Sequence, residues 1–228
     1  MRYYAVIPAA GSGTRMGGEL PKQYLPLLNK PVLQWSVDVF LADEQCHGIV
    51  VALAASDQHF AQLPVAAHPK VHTCVGGASR RDSVRNALQA CPAAATALDW
   101  VWVHDAARPG IDRALLNRLK AALTDPQIDG AIAAVAAADT MKAVTSDGRI
   151  QRTVDRSSLI RAQTPQAFRL GALRDALDRY PDVTDEASAM EQAGARIRWV
   201  EGAWRNLKLT TADEWLALTA ALREKDAS

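Results

Sequence analysis

Apolar, β-prone runs alternate with segments of helical periodicity along most of this 228-residue chain, and that alternation limits the fold more than any other feature. The runs are Tyr3–Ala9, Gly48–Ala54, Val71–Val75, Trp100–His104 and Gly130–Val135. Pro31 opens a helix through Leu33, Val37 and Leu41, proline being favoured in a first helical turn. Arg80–Ala90 places Val84, Ala87 and Leu88 on one face, and Asp112 caps a helix through Leu115, Leu116 and Leu119. The pattern predicts an α/β fold: a Rossmann-like, mostly parallel, twisted sheet with right-handed crossovers, flanked by helices. Ligands of such sheets sit beyond the carboxyl ends of the strands. The loops after the first, third and fourth runs are the ones rich in Gly, Asp and Arg. The length suits one domain over residues 1–228, closed by a helix at Asp213–Leu222.

The stretch from Asp139 to about Arg156 breaks the rhythm. Met141–Val144 and Arg149–Val154 flank Ser146-Asp147-Gly148, a hairpin signal. Lys142, Arg149, Arg152, Asp155 and Arg156 make it too polar for a core hairpin. A protruding arm at about 139–156 is expected, lying on the partner subunit of a homodimer.

The first run leads into Pro8-Ala9-Ala10-Gly11-Ser12-Gly13-Thr14-Arg15-Met16-Gly17-Gly18, then Pro21-Lys22-Gln23. A buried strand ending in a glycine turn aims main-chain N–H groups at an anion. Arg15 and Lys22 add two cations, which an ordinary strand-to-helix turn does not need. The loop lacks the Gly-Lys-Ser/Thr of a P-loop, and its Gly11-x-Gly13-x-x-x-Gly17 spacing departs from the dinucleotide fingerprint. The combination suits a nucleoside triphosphate whose charge is stabilised during reaction.

In the second loop, Gly76-Gly77-Ala78-Ser79-Arg80-Arg81-Asp82-Ser83, backbone groups and Ser83 can read a pyrimidine edge, although helix capping by Ser79 or Asp82 explains the same residues. In the third, His104-Asp105-Ala106-Ala107-Arg108, the carboxylate can hold magnesium directly or through water, and Arg108 can fork onto a phosphate or onto Asp105 itself. His104 reads as a packed strand residue. Thr140, Lys142, Arg156, Thr164, Thr184, Asp185 and Lys208 suit a phosphorylated polyol, and Thr184 also reads as a helix cap before Asp185-Glu186.

The formal charge of +1 offers no general attraction to nucleic acid. No run of about 18 apolar residues provides a membrane span. Cys46, Cys74 and Cys91 are widely spaced and read as buried thiols. Without a signal-peptide layout at the first strand, a cytoplasmic protein is expected. No motif of nucleophilic or zinc hydrolases is present. Basic residues with few carboxylates fit phosphorus chemistry, where positioning and charge stabilisation do most of the work.

These segments together resemble the 2-C-methyl-D-erythritol 4-phosphate cytidylyltransferases of the non-mevalonate isoprenoid pathway over nearly the whole chain. The resemblance rests on Pro8-Ala9-Ala10-Gly11-x-Gly13-x-Arg15-Met16, Pro21-Lys22-Gln23-Tyr24, and Gly76-Gly77-x-x-Arg80-x-Asp82-Ser83-Val84. It continues through His104–Pro109, Asp139–Lys142, Thr153–Arg156, Thr164-Pro165-Gln166-x-Phe168, Thr184–Ala187 and Asn206-x-Lys208-x-Thr210. It implies a magnesium-dependent reaction of CTP with methylerythritol phosphate that releases pyrophosphate. It further implies that Arg15 and Lys22 stabilise the α-phosphorus, while Ala9, Ala10, Gly11, Gly13, Gly77 and Ser83 hold CTP. Asp105 would lie by the metal. Arg108, Thr140, Thr164 and Lys208 would surround the polyol phosphate, with Arg156 crossing from the dimer partner. Ala78 and Arg205 stand where Asp is common in such proteins, so position 78 carries only a backbone contact and the charge balance near Lys208 is open. A cytidylyltransferase acting on ribitol 5-phosphate shares the nucleotide half of this pattern. A silent CTP sensor is the alternative from another class.

Overall fold

Tyr3, Ala5 and Ile7 enter one buried apolar cluster and Val6 enters another, so the first strand is covered on both faces. That is the environment of a central strand in a helix-covered parallel sheet. The computed structural model describes residues 1–11 and 20–226. In chain order the strands are β1 (Tyr3–Pro8), β2 (Pro26–Leu27), β3 (Lys30–Pro31), β4 (Cys46–Leu53), β5 (Val71–Val75), β6 (Trp100–Val103), β7 (Gly130–Ala136), β8 (Met141–Val144), β9 (Ile150–Val154), β10 (Ile160–Arg169) and β11 (Ile197–Glu201). The helices are α1 (Val32–Leu41), α2 (Arg80–Gln89), α3 (Arg113–Ala122), α4 (Leu170–Arg179), α5 (Glu186–Gln192) and α6 (Ala212–Asp226).

Seven strands form the main sheet in the order β11-β7-β10-β6-β1-β4-β5. All neighbours are parallel except β10, which runs antiparallel to both β6 and β7. Leu33, Val37 and Phe40 of α1 and Leu115, Leu116 and Leu119 of α3 cover one face with Tyr3 and Trp102. Val84 and Leu88 of α2, Leu173 and Leu177 of α4 and Met190 of α5 cover the other with Val101 and Phe168. A third cluster joins Leu218 and Leu222 of α6 to Leu27, Trp35 and Leu209.

The five expected strands and four expected helices are present, with ends shifted by a residue or two, except that the last helix, α6, runs on to Asp226. Pro31 is the extended cap of α1 rather than its first residue. Among the numbered strands and helices, β2, β3, β10, α4 and β11 lie outside the sequence expectation. Pro165 in the middle of β10 argues against a strand interior, because proline cannot donate to a ladder. The ladder accommodates it by an irregularity between Ala162 and Gln166 in the pairing with β7. Trp199 on β11 is half-exposed, so that edge strand lacks the apolar run which marks β1 and β6. The expected hairpin is present as β8–β9, with Gly148 at φ +82° in its turn. Its root is closed by the Ala137 N–H donating to the Leu159 carbonyl at 3.1 Å.

Candidate active site

Three of the strands predicted to carry ligand loops end at one cleft of about 300 Å³. Pro8 ends β1 and Ala9–Gly11 follow it, Gly77–Arg80 follow β5, and Asp105–Ala107 follow β6; Lys22, Gln23, Ser83 and Lys208 also line the wall. Ala9 stays tied to the sheet through its N–H, which donates to the Ala52 carbonyl at 2.8 Å. Gly13 and Arg15 lie outside the described residues.

Lys22 begins a short 3-10 turn over Lys22–Tyr24. Its Nζ donates to the Leu209 carbonyl at 3.0 Å, tying it to the segment that carries Lys208. The next residue, Gln23, is buried and has no role in the sequence reading, yet it shapes the glycine loop. Its Nε2 donates to the carbonyls of Ala9 at 2.8 Å and Gly11 at 3.1 Å, bracketing Ala10. A polar residue next to a conspicuous lysine was the available signal.

Glycines 76 and 77 serve protein packing first. A Cβ at Gly76 would meet the Ala10 side chain and Ser83 Oγ, and one at Gly77 would overlap Asp82. The close approach expected toward a ligand is therefore also an approach between two loops of the site. Ser83 sits one turn into α2, where its Oγ accepts from the Gly77 N–H at 3.1 Å and donates to the Ser79 carbonyl. Ser79 caps α2 by accepting from the Asp82 N–H. Capping and site construction are thus both present. Ala78 lines the cleft without a polar side chain.

Among the described residues Asp105 is the carboxylate of this cleft, 6% exposed, and three cations meet on it. Arg80 Nε lies 2.9 Å from one oxygen; Arg108 Nε at 3.3 Å and Lys208 Nζ at 3.0 Å share the other. Burial alone would raise its pKa, but Arg80, Lys208 and Arg108 overcome that and hold the carboxyl well below the usual carboxylate range. The local Asp105–Arg108 pair foreseen from their spacing is therefore real. Arg108 also donates to the Asn206 carbonyl at 2.8 Å. Arg205 turns away to Asp112, the cap of α3, so it does not disturb the charge at Lys208.

Thr164 is buried behind this loop. Its hydroxyl accepts from the Asp105 N–H at 3.0 Å and faces His104 Nδ1 at 3.0 Å. His104 Nε2 faces the Arg108 carbonyl at 3.1 Å. A carbonyl can only accept, so Nε2 carries the proton and Nδ1 accepts from Thr164. His104 is fully buried, and burial pushes its pKa down to about 4. It is a packed residue, as expected, and it orients the Asp105 backbone through Thr164. Helix α5 is capped by Asp185 rather than Thr184, because the Asp185 carboxylate reaches the Ser188 N–H and closes a capping box. Lys142 bonds across the hairpin to Thr153, while Thr140 and Arg156 are exposed on the arm and do not line the cleft of their own chain. The Arg156 guanidinium donates to the Ala138 carbonyl.

Residues 3–224 match the model of the family described as 2-C-methyl-D-erythritol 4-phosphate cytidylyltransferase, IspD. The chain belongs to the IspD family. A member from Pseudomonas putida is 47% identical over 221 residues, covering 94% of each chain, and one from Ectopseudomonas mendocina is 45% identical over 230 residues, covering 99% of this chain and 97% of the relative. Both carry the name 2-C-methyl-D-erythritol 4-phosphate cytidylyltransferase. The IspD fold is matched by a crystal structure of 4-diphosphocytidyl-2C-methyl-D-erythritol synthase, with TM-score 0.83 and 37% identity over 97% of this chain and 99% of that one. The IspD of Francisella tularensis gives TM-score 0.82 at 34% identity, over 97% of this chain and all of that one.

Proposed function

We propose that this chain joins CTP to 2-C-methyl-D-erythritol 4-phosphate, giving CDP-methylerythritol and pyrophosphate. The observation that carries the reading is the meeting, at one cleft, of the Ala9–Gly11 turn, Lys22, Ser83 and the Asp105–Lys208 pair, in a chain of this family. An oxygen of the acceptor phosphate attacks the α-phosphorus of CTP. The new P–O bond forms as the bond to the β-phosphate bridge breaks, and pyrophosphate leaves with the electron pair. A phosphate monoester has a second pKa of about 6, so the nucleophile arrives deprotonated and needs no general base. Lys22 stabilises the charge that grows at the α-phosphorus. Arg15 shares that task by resemblance. Ala9, Ala10, Gly11, Gly13, Gly77 and Ser83 hold the nucleotide. Arg108, Thr140, Lys208 and the Arg156 of a partner subunit take the acceptor, while Thr164 supports the Asp105 backbone from behind.

Among the described residues no group of three His, Cys, Asp or Glu side chains could hold a metal. Asp105 has about four lone-pair sites, and three of them meet cations among the described residues. This donor set fits a magnesium ion held chiefly by triphosphate oxygens and water, with Asp105 at its edge through water. When bound, the ion neutralises triphosphate charge. The homodimer with crossing arms is supported by the exposed hairpin and by the described lining of the cleft, which does not include Arg156 of the same chain. Among the described residues no helix is long and apolar enough to cross a membrane.

Pyrophosphate release across CTP, ATP, GTP and UTP with methylerythritol 4-phosphate and ribitol 5-phosphate tests the reading. Release with CTP and methylerythritol 4-phosphate is expected. Release only with ribitol 5-phosphate, or none with any pair, overturns it.

A further inference from the structure

Glu186 is a buried carboxylate, 1% exposed, that the reaction does not use directly. It meets the Arg80 guanidinium head-on, with Nη1 2.7 Å from Oε1 and Nη2 3.0 Å from Oε2. The remaining edge of the same guanidinium holds Asp105 through Nε at 2.9 Å. Arg80 lines the cleft, but its planar fork is engaged on two carboxylates and is not aimed at a ligand phosphate. Glu186 is itself fixed from the sheet. Gln166 of β10, 1% exposed, donates to the Asp185 carboxylate at 2.8 Å and accepts from the Ala187 N–H at 2.8 Å. It thereby clamps the residues on either side of Glu186. The chain of contacts runs from the centre of the sheet, through Gln166, Glu186 and Arg80, to Asp105, and ends at Lys208 over the cleft.

We infer that Arg80 and Glu186 are positioning residues that fix Asp105, and through it Lys208, for the acceptor phosphate. The division of labour follows from the geometry. Arg80 stands on the helix that carries the base-reading Ser83, yet acts on the acceptor side. Asp105 shares its second oxygen between Arg108 and Lys208. With its first oxygen pinned by Arg80, the carboxylate keeps its place when those two cations turn to an incoming phosphate. Lys208 is the more exposed of the two, at 40% against 12% for Arg108, and is the one freer to swing.

This inference rests on the proposed role of Lys208 and is tested by steady-state pyrophosphate release, CTP titration calorimetry and thermal melts. Glu186→Gln removes the charge that holds the Arg80 fork. The Michaelis constant for methylerythritol 4-phosphate should rise about tenfold or more, with the CTP dissociation constant within about threefold. An unchanged acceptor constant, or an equal loss of CTP affinity, overturns the inference. The double variant Arg80→Met/Glu186→Met removes both charges and should recover melting temperature relative to either single change, because no unpaired buried ion remains. The acceptor constant should stay high; its recovery together with the melting temperature would show that the pair merely stabilises the fold. Lys208→Ala tests the underlying reading separately. An unchanged acceptor constant there removes Lys208 from the acceptor site. A raised one there beside an unchanged one in Glu186→Gln overturns the positioning role alone.

Discussion

Lys22 and Gln23 are neighbours with different tasks, and replacing each should fail in a different way. Lys22→Ala should lower kcat by about 10² or more while CTP binding changes little, since the proposed role sets the lysine where charge grows. Single-turnover kinetics beside CTP titration separates the two effects, and a rate within a few-fold of wild type removes Lys22 from the role. Gln23→Ala should instead weaken CTP binding about tenfold, because two carbonyls lose their shared donor and the Ala9–Gly11 turn loosens. Intact CTP affinity in that variant would mean that the turn holds its shape without the clamp. The cations and the glycine turn were readable from the chain because their chemistry is visible in the residue types. The site roles of Gln23, Arg80 and Glu186 are not legible in the sequence, where Glu186 reads only as part of a helix N-terminus, because each works by bonding to residues far away in sequence: Arg80 meets Asp105 and Glu186 across 25 and 106 positions. The support that Thr164 gives Asp105 and His104 is hidden for the same reason, since those bonds span 59 and 60 positions.

The β8–β9 hairpin shows how an element can be foreseen while its neighbours are missed. Its turn residues and alternating charges lie within a dozen positions, whereas β10 hides a proline inside a central strand and is recognisable only from its partners. A two-stranded ribbon alone is marginal in water, and Val144 and Ile150 are exposed at facing positions near its tip. A partner subunit would cover them. Sedimentation of the wild type should give a dimer, and an active monomer would end the crossing-arm proposal. Arg156→Ala should then raise the acceptor Michaelis constant roughly tenfold to a hundredfold, with that for CTP unchanged. Mixed dimers of Arg156→Ala with Lys22→Ala subunits should recover about half the activity, because both lesions then fall in one composite site. Little recovery would place Arg156 on its own chain's site. Elsewhere the ladder leaves no slack: a Cβ at Gly130 would overlap the Phe168 ring on β10. Gly130→Ala should cost about 1–3 kcal/mol in denaturant melts, and a neutral result would show that Phe168 can move.

At the scale of the whole molecule, the buried His104 makes stability depend on acidity. Its folded pKa is pushed from 6.5 down to about 4, so the unfolded chain binds the proton more readily. The stabilisation is fully present above about pH 6.5 and drains away as pH falls toward 4, by about 3 kcal/mol in all. Asp105 adds a loss of the same sign, but only below the ordinary carboxylate range. Melts from pH 7 to pH 4 should show the decline, and His104→Gln should flatten it; an equal slope in the variant would assign the decline to other groups. The strand order has a further consequence, for synthesis. β1, β4, β5 and β6 are neighbours and come from the first 103 residues, so they can assemble while the rest of the chain is still being made. Until residues 160–169 emerge, β6 presents Trp100-Val101-Trp102-Val103 as an open edge, and β7 has no neighbour in the sheet. An unguarded apolar edge recruits other chains. Ribosome-released fragments ending near residue 155 should therefore aggregate, and fragments extended past residue 169 should stay dispersed, because the late antiparallel strand is also the seal on a half-built sheet.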